Sequence, residues 1–277
     1  MGEFVTVAIE NRELGSVARV TLNRPDLHNA FNETMIQELK TTFAGFNKQS
    51  DVRVVILQAE SKSFCAGADL NWMKKMVDYT FAQNIEDAHV LASMLRTIHD
   101  CPKPVIARVH GAAFGGGVGL VAACDMAVAL ESATFSLSEV KLGLLPAVIS
   151  PFVMKKIGSG AAHRYFLTAE RFSAAEALRI GLIHEVVPDL NTLDERINAL
   201  TDTLMANGPE AVAQCKVLIE QVCHTEWDRA VDITTKMIAE RRSSKEGQEG
   251  MKAFLEKRSP SWVKSGASAG APAGKDS

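Results

Sequence analysis

Short apolar runs alternate with amphipathic segments along the first two thirds of the chain. Residues 52–59, 104–109 and 126–130 are runs rich in Val, Ile and Ala, which predict buried strands. Apolar residues recur at helical spacing in 35–46 and 81–98, which predicts amphipathic helices. Strand–strand–helix units therefore recur in this part of the chain, and the predicted fold class is α/β.

Beyond residue 190 the pattern is almost entirely helical. It predicts helices over about 192–206, 209–223, 226–242 and 246–258. We therefore expect a core of residues 1–190 and a helical C-terminal region of residues 191–263. The last segment, 264–277, is mostly Gly, Ala, Ser and Pro, a composition that predicts a flexible tail.

Two loops of small residues follow two of the predicted strands. One contains Gly115-Gly116-Gly117 and leads into a small, apolar helix; the other is Ser61–Asp69. A strand, a glycine turn and a helix start together direct unpaired backbone N–H groups to one point. Two such loops side by side would each supply one N–H to the same oxygen, as in an oxyanion hole for an enolate. A tight packing turn is the alternative interpretation of the three glycines.

Known phosphate-binding motifs do not fit the glycine run. A P-loop needs Lys and then Ser or Thr after its last glycine, but Leu120 and Val121 follow Gly119. The dinucleotide pattern Gly-x-Gly-x-x-Gly also fails, because its last glycine is missing.

Composition and charge exclude several other classes. A net charge of −3 predicts no general attraction to nucleic acid or to anionic membranes. With no run of 18 apolar residues and no signal-peptide pattern, we expect a cytoplasmic protein without a membrane span. The five cysteines form no Cys-x-x-Cys pair and no cluster with histidine, so neither a metal site nor a disulfide framework is expected.

Several motifs in order resemble the crotonase (enoyl-CoA hydratase/isomerase) superfamily. They are Phe64–Leu70 (Phe-Cys-Ala-Gly-Ala-Asp-Leu), Gly115–Gly117, Ser138-Glu139 and Leu142–Pro146 (Leu-Gly-Leu-Leu-Pro). The resemblance covers roughly residues 4–260. It implies a spiral of strand–strand–helix turns, a helical C-terminal region that trimerises, and a homotrimer or a homohexamer built as a dimer of trimers. It also implies an acyl-CoA substrate, so that coenzyme A is part of the substrate and no separate cofactor is needed.

The resemblance also implies roles for individual residues. The backbone N–H groups of Ala68 and Gly116 would form the oxyanion hole, and Glu139 would be the catalytic acid/base. The residues implied to contact CoA are Arg24, His28, Ala66, Ala68, Asp69 and Leu70, with Phe254 and Lys257 reaching the CoA of a neighbouring subunit.

The chain departs from the family pattern at Gly119, where the best-known hydratases carry the first of two glutamates. A single carboxylate suits an isomerase, which moves one proton, and it also suits a hydratase in which one group activates water and then passes the proton on. A generic short-chain enoyl-CoA hydratase and a Δ3-Δ2-enoyl-CoA isomerase therefore both stay open.

Within the family, three stretches resemble the bacterial 3-methylglutaconyl-CoA hydratases of leucine breakdown. They are residues 69–73, 117–120 and 146–151. That substrate has a distal carboxylate, for which Arg164, Lys141 and Lys155 are the candidate cations. We expect this carboxylate to lie on the Gly119 side of the site and to help orient the water.

Two functions from other classes deserve comparison. Some relatives in the family bind RNA, and Lys74-Lys75 is a small basic spot, but the net charge is −3 and no long basic stretch accompanies it. A thioesterase or dehalogenase of this fold would need a nucleophilic Asp or a histidine beside the thioester. His110 and His163 are the candidates, and neither has an evident carboxylate partner in the sequence.

Overall fold

The computed structural model describes residues 2–223 and 225–263. The predicted flexible tail, 264–277, lies outside the described residues. The chain divides into two compact units. The first comprises the residues up to Asn11 and Ser16–Thr201, and the second comprises Arg12–Gly15 and the residues from Asp202 onward.

The first unit contains two sheets. The strands in chain order are β1 Val5–Arg12, β2 Gly15–Leu22, β3 Val52–Ala59, β4 Ser63–Cys65, β5 Val105–Val109, β6 Ala112–Phe114, β7 Met126–Leu130, β8 Thr134–Ser136, β9 Phe172–Ser173 and β10 Glu185–Val187. The larger sheet has the order β1-β2-β3-β5-β7-β10, and its strands from β2 to β10 are parallel. The smaller sheet has the order β4-β6-β8-β9, in which only the last pairing is antiparallel.

Three consecutive strand pairs repeat one arrangement: β3 with β4, β5 with β6, and β7 with β8. In each pair the first strand joins the larger sheet and the second joins the smaller sheet. Because equivalent strands of successive pairs are neighbours, the loops that follow them lie side by side at the edge of the small sheet. The predicted α/β class with strand–strand–helix repeats is confirmed.

The helices connect and cover these strands. They are α1 Glu33–Gly45, α2 Leu70–Met76, α3 Phe81–His99, α4 Gly116–Ala123, α5 Ser150–Thr168, α6 Ala174–Arg179, α7 Leu190–Met205, α8 Pro209–Val222, α9 Trp227–Ser243 and α10 Lys245–Leu255. Capping fixes where several of them begin: the Asn32 side chain accepts a hydrogen bond from Met35 N, and Thr80 forms a capping box with Gln83. The last four helices, α7 to α10, follow one another along the chain, so the predicted helical C-terminal region is confirmed.

Helix α5 was not predicted. The sequence around residues 146–151 suggested a stiff apolar loop, whereas the chain is helical from Ser150. Pro151 is tolerated there because it lies in the first turn, where its missing N–H has no partner to lose. Gly158, with φ 67° and ψ 171°, interrupts the helix and hides its periodicity in the sequence.

The division between the two compact units lies inside α7, between Thr201 and Asp202. Leu193, Ile197 and Thr201 are fully buried, four residues apart on one face of this helix. That buried face keeps the first turns of α7 in the first unit as far as Thr201.

The described residues form no cluster of His, Cys, Asp or Glu that could hold a metal ion. All five cysteines are free thiols, and Cys65, Cys101 and Cys124 are buried. No helix within the described ranges is both long and apolar enough to cross a membrane.

Candidate active site

Ala68 lies in a loop between β4 and α2 that is held by Phe31. Phe31 N donates a hydrogen bond to Gly67 O (2.7 Å), and Asp69 N donates one to Phe31 O (2.8 Å). These two bonds form a parallel bridge between Phe31 and Ala68, so the Ala68 N–H points away from Phe31. Ala68 is exposed, and its N–H donates no hydrogen bond within the described part of the chain. It is therefore available to a ligand.

Asp69 fixes the end of this loop. Its Oδ1 accepts hydrogen bonds from Asn71 N (2.6 Å) and Trp72 N (3.0 Å), which caps α2. Its Oδ2 forms an ion pair with Arg24 Nη1 at 2.7 Å, and Asp69 is only 4% exposed. Burial alone would raise the pKa of this carboxyl, but the hydrogen bonds from Trp72, Arg24 and Asn71 outweigh it, so the pKa is lowered. The Asp69 carboxylate is thus committed to holding the loop.

Asn29 ties the preceding turn to the same loop. It is fully buried and adopts φ 55°, a conformation that asparagine tolerates better than most residues. Its Nδ2 donates to Glu60 O (2.9 Å) and Ser63 O (2.8 Å), and its Oδ1 accepts from Arg24 N (2.8 Å). The neighbouring His28 also has a positive φ of 52°, and its Nδ1 lies 3.2 Å from Ser63 Oγ.

The structure brings most of the predicted CoA contacts together. Arg24 and His28 lie on the turn that Asn29 anchors, and Ala66 and Leu70 are exposed on the adjoining loop. Phe254 and Lys257, both exposed, belong to the second unit. Direct contact of these residues with CoA stays a prediction.

Each glycine of the 115–117 loop lies where a side chain would contact or overlap a different neighbour. Gly115 has φ 50° and ψ −119°, and a Cβ there would lie 3.2 Å from Glu139 Oε1. A Cβ at Gly116 would overlap the Phe31 ring, reaching 3.0 Å from its Cδ2. A Cβ at Gly117 would overlap Cys65 O. The loop is thus a close-packed turn and, at the same time, the start of α4.

The Gly116 N–H is the first amide of α4, where the helix dipole favours negative charge. Among the described residues no acceptor pairs with it. The two predicted amides, of Ala68 and Gly116, are therefore both free to donate to a ligand. A tight packing turn and an oxyanion hole are compatible interpretations of the same glycines.

Glu139 places a carboxyl group beside this loop. It is the first residue of a short 3-10 helix, Glu139–Leu142, and it is half-buried. Its Oε2 is buried and has no hydrogen-bond partner among the described residues. Burial raises the pKa of Glu139 above the ordinary glutamate value. An unpartnered buried carboxyl with a raised pKa is typical of a group that transfers a proton.

Apolar side chains occupy the space beside Gly119. A Cβ there would overlap Ile149 Cγ2, lie 2.9 Å from Ile149 Cβ and come within 3.7 Å of Leu95 Cδ1. Gly119 N donates to Gly115 O, so Gly119 lies one helical turn along α4 from the glycine that Glu139 approaches. This arrangement disfavours the expectation that a substrate carboxylate lies beside Gly119, because it would be desolvated there against isoleucine and leucine.

The other candidates from the sequence include two cations and two histidines. Arg164 is paired with Glu170, with Nε at 2.7 Å from Oε1, whereas Lys141 is exposed on the same short helix as Glu139. His110 Nε2 and His163 Nδ1 each lie 2.8 Å from a backbone carbonyl oxygen. In both cases the bonded ring nitrogen meets a carbonyl rather than the carboxylate that a triad would require.

Sequence reasoning missed Asn29, Phe31 and Ile149. Asn29 carries one usable signal, since asparagine after a proline turn favours a left-handed conformation. Phe31 and Ile149 are apolar, and nothing in the sequence separates them from ordinary core residues. Their importance comes only from which glycine each one contacts.

Comparison with known proteins agrees with this geometry. The Enoyl-CoA hydratase/isomerase family model matches residues 12–265. The chain is 34% identical to a short-chain-enoyl-CoA hydratase of Clostridium acetobutylicum, over 88% of this chain and 93% of that protein. It is 31% identical to a crotonyl-CoA hydratase of Syntrophomonas wolfei, over 94% and 98%. The crystal structure of an enoyl-CoA hydratase from Shewanella pealeana superposes with a TM-score of 0.89 at 43% identity, covering 94% of this chain and 96% of that one.

The strand–strand–helix repeats followed by a helical C-terminal region have the architecture of crotonase-type proteins. The chain belongs to the enoyl-CoA hydratase/isomerase family, which confirms the resemblance seen in the sequence.

Proposed function

We propose that this enzyme hydrates a 2-enoyl-CoA thioester with Glu139 as its single acid/base and the Ala68 and Gly116 amides as its oxyanion hole. The observation that carries the proposal is the half-buried Glu139 carboxyl, whose Oε2 is unpartnered beside a loop with a free amide. The relatives named for hydration of short enoyl-CoA substrates support the same reaction.

The reaction balances with one carboxyl group. Glu139 as carboxylate takes a proton from water while the water oxygen bonds to C3 of the substrate. The π electrons of the C2–C3 double bond move to the thioester oxygen, and the two amides stabilise the enolate that forms. Glu139, now protonated, delivers its proton to C2, and the carboxylate is restored.

For the acyl group we propose 3-methylglutaconyl-CoA, on the strength of the sequence resemblance in residues 69–73, 117–120 and 146–151. Among the three candidate cations, Lys141 is the best placed for a distal carboxylate. It is two residues from Glu139, and no carboxylate is paired with it among the described residues. Arg164 is instead neutralised by Glu170.

The alternative is a Δ3-Δ2-enoyl-CoA isomerase, and the Gly119 region favours it. Ile149 fills the space of a second carboxyl, and an isomerase needs one group to move a proton between C2 and C4.

A panel of crotonyl-CoA, a 3-enoyl-CoA and 3-methylglutaconyl-CoA tests both proposals. The highest kcat/KM on 3-methylglutaconyl-CoA, reduced in Lys141→Gln but not in Arg164→Gln, is the expected result. Turnover of the 3-enoyl-CoA alone would identify an isomerase. Equal rates on the two 2-enoyl substrates would indicate a broad hydratase.

We also propose that copies of this chain assemble into a trimer or a dimer of trimers. Helices α8 and α9 bury none of their described side chains in the single chain. Trp227, Phe254 and Leu255 are each about four-fifths exposed in the second unit (80%, 80% and 79%). Large apolar side chains left open in this way are typical of a surface that another subunit covers. Light scattering coupled to size-exclusion chromatography distinguishes monomer, trimer and hexamer.

A further inference from the structure

An oxyanion hole needs its two donors at a fixed separation. Each N–H must lie about 2.7–3.1 Å from the position of one oxygen, so a small displacement of either loop weakens the pair. Here the two loops follow different strands, and α2 and α3 separate them in the chain. The pairing of β4 with β6 and the close approach of Gly67 to Phe114 O bring the loops together, and contacts beyond the strand ends then set the spacing of the Ala68 and Gly116 amides.

Phe31 contacts both loops, through different parts of the residue. Its backbone N and O form the hydrogen bonds to Gly67 and Asp69 that flank Ala68, at 2.7 and 2.8 Å. The edge of its ring lies against the Gly116 Cα, so closely that a Cβ at residue 116 would overlap ring atom Cε2. Phe31 is 1% exposed, so it has no surface to offer a substrate directly.

We propose that Phe31 is a positioning residue that sets the separation of the two oxyanion-hole amides. The backbone bridge fixes the Ala68 amide relative to the Phe31 Cα. The rigid ring then fixes the distance from that Cα to Gly116, since a phenylalanine side chain has only two rotatable bonds. The inference rests on the proposed function, because it concerns the donors to a thioester oxygen.

The test measures how strongly the hole polarises a bound carbonyl. The probe is [1-13C]butanoyl-CoA, which has no double bond to hydrate, and the readout is its infrared carbonyl stretch on the enzyme. In Phe31→Leu and Phe31→Ala we expect this frequency to rise toward the value of the free thioester. We also expect kcat for the best enoyl-CoA to fall about 10- to 10²-fold, part of the 10²–10³ that one donor is worth, with a smaller change in KM.

A matched control separates positioning from general loss of packing. Phe43 is also fully buried, and its ring packs edge-to-face on Phe46 with centroids 5.7 Å apart. Phe43→Leu should lower the melting temperature about as much as Phe31→Leu but leave the carbonyl frequency unchanged. An unchanged frequency in both Phe31 variants, or an equal shift in Phe43→Leu, would overturn the proposal.

A double substitution provides a second test if Phe31→Ala folds poorly. Gly116→Ala drives a methyl group into the ring, and Phe31→Leu offers it space. If the ring positions Gly116, the two changes are non-additive, and the double variant loses less activity than the product of the single losses. Additive losses would argue against a shared contact. A wild-type enzyme that does not shift the probe's carbonyl at all would instead reject the oxyanion hole, and so the proposed function.

Discussion

The two loops that supply the oxyanion-hole amides are held in place by different interactions. The 66–69 loop is fixed by polar groups: the Arg24–Asp69 ion pair and the hydrogen bonds of Asn29. The 115–117 loop and the first turn of α4 are fixed by close contact of glycines with Phe31, Cys65 and Ile149. Phe31 takes part in both, through its backbone on one side and its ring on the other.

This difference determines how each loop tolerates change. A hydrogen-bonded loop fails when one partner is removed, because a buried charge or donor is left unsatisfied. A glycine-packed loop fails when an atom is added, because overlap forces the neighbours apart. Removing a partner from the first loop and adding an atom to the second therefore test this contrast.

The largest effect is expected at Glu139. Glu139→Gln keeps the size of the side chain but removes the proton-transfer group, so kcat should fall about 10²- to 10⁴-fold. The carbonyl polarisation of bound butanoyl-CoA should persist, because neither loop is altered. Near-normal turnover in this variant would mean that another group moves the proton.

The pH profile of the unmodified enzyme reports on the same group. Burial raises the pKa of Glu139, and the hydratase step needs the carboxylate. The acidic limb of kcat/KM should therefore lie above the ordinary glutamate range, with the rate rising as pH increases through it. Glu139→Asp should move that limb, whereas a limb at the normal carboxyl pKa would contradict the assignment.

Gly116→Val should give the next largest loss, about 10²- to 10³-fold in kcat, since it displaces one donor of the hole. The physical cause is a collision with the Phe31 ring, so the melting temperature should also fall. Gly160→Val is the control, because a Cβ at residue 160 meets no heavy atom within 4 Å. A folded, active Gly116→Val enzyme would show that the loop is only structural.

Asp69→Asn removes the negative charge from the ion pair that holds the 66–69 loop. It leaves Arg24 facing a neutral amide in a nearly dry site, and we expect the free energy of unfolding to fall by about 3 kcal/mol. Because the pKa of Asp69 is lowered in the folded protein, its stabilisation is present at neutral pH. That stabilisation is lost as the pH falls through the folded-state value. Activity should drop by about tenfold through misplacement of Ala68.

The control for that variant is Asp202→Asn. Asp202 also pairs with an arginine, Arg12, at 2.8 Å, but its side chain is 69% exposed. Exposed pairs contribute about 0–1 kcal/mol, so this change should be nearly silent in chemical denaturation. Equal effects at Asp69 and Asp202 would show that the Arg24–Asp69 pair stabilises its loop no more than an exposed ion pair would.

The strands and helices were not equally predictable from the sequence. Strands β5 and β7 were found almost to the residue because β-branched apolar runs are strong local signals. Strands β4, β6 and β8 have three residues each, too few to show any alternation, so the sequence pattern does not delimit them. Helix α5 was missed because Pro151 and Gly158 interrupt its pattern.

For the site, the sequence pointed to Glu139 and to the glycines through motifs that are local in the chain. It did not point to Phe31 or Ile149, because their contacts join residues that are distant in the chain and involve no chemically distinctive group. A glycine in the sequence indicates that another group approaches its backbone closely, but it does not indicate which side chain that is. Only the fold identifies the neighbour.

The smallest effect on activity is expected from the Gly119–Ile149 pair, where the changes act on stability. Gly119→Ala adds a methyl group that overlaps Ile149 Cγ2, which should cost about 1–3 kcal/mol of unfolding free energy. Ile149→Ala alone should cost about 2–5 kcal/mol through the cavity that it leaves. Together the two changes should cost less than their sum, because the new methyl group fills part of the cavity. Ile157→Ala, within helix α5, combined with Gly119→Ala supplies the additive control.

The overlap with Ile149 also means that Gly119→Glu alone should destabilise the protein rather than add a second acid. Additivity of Gly119→Ala with Ile149→Ala in chemical denaturation would show that the two residues do not share this space.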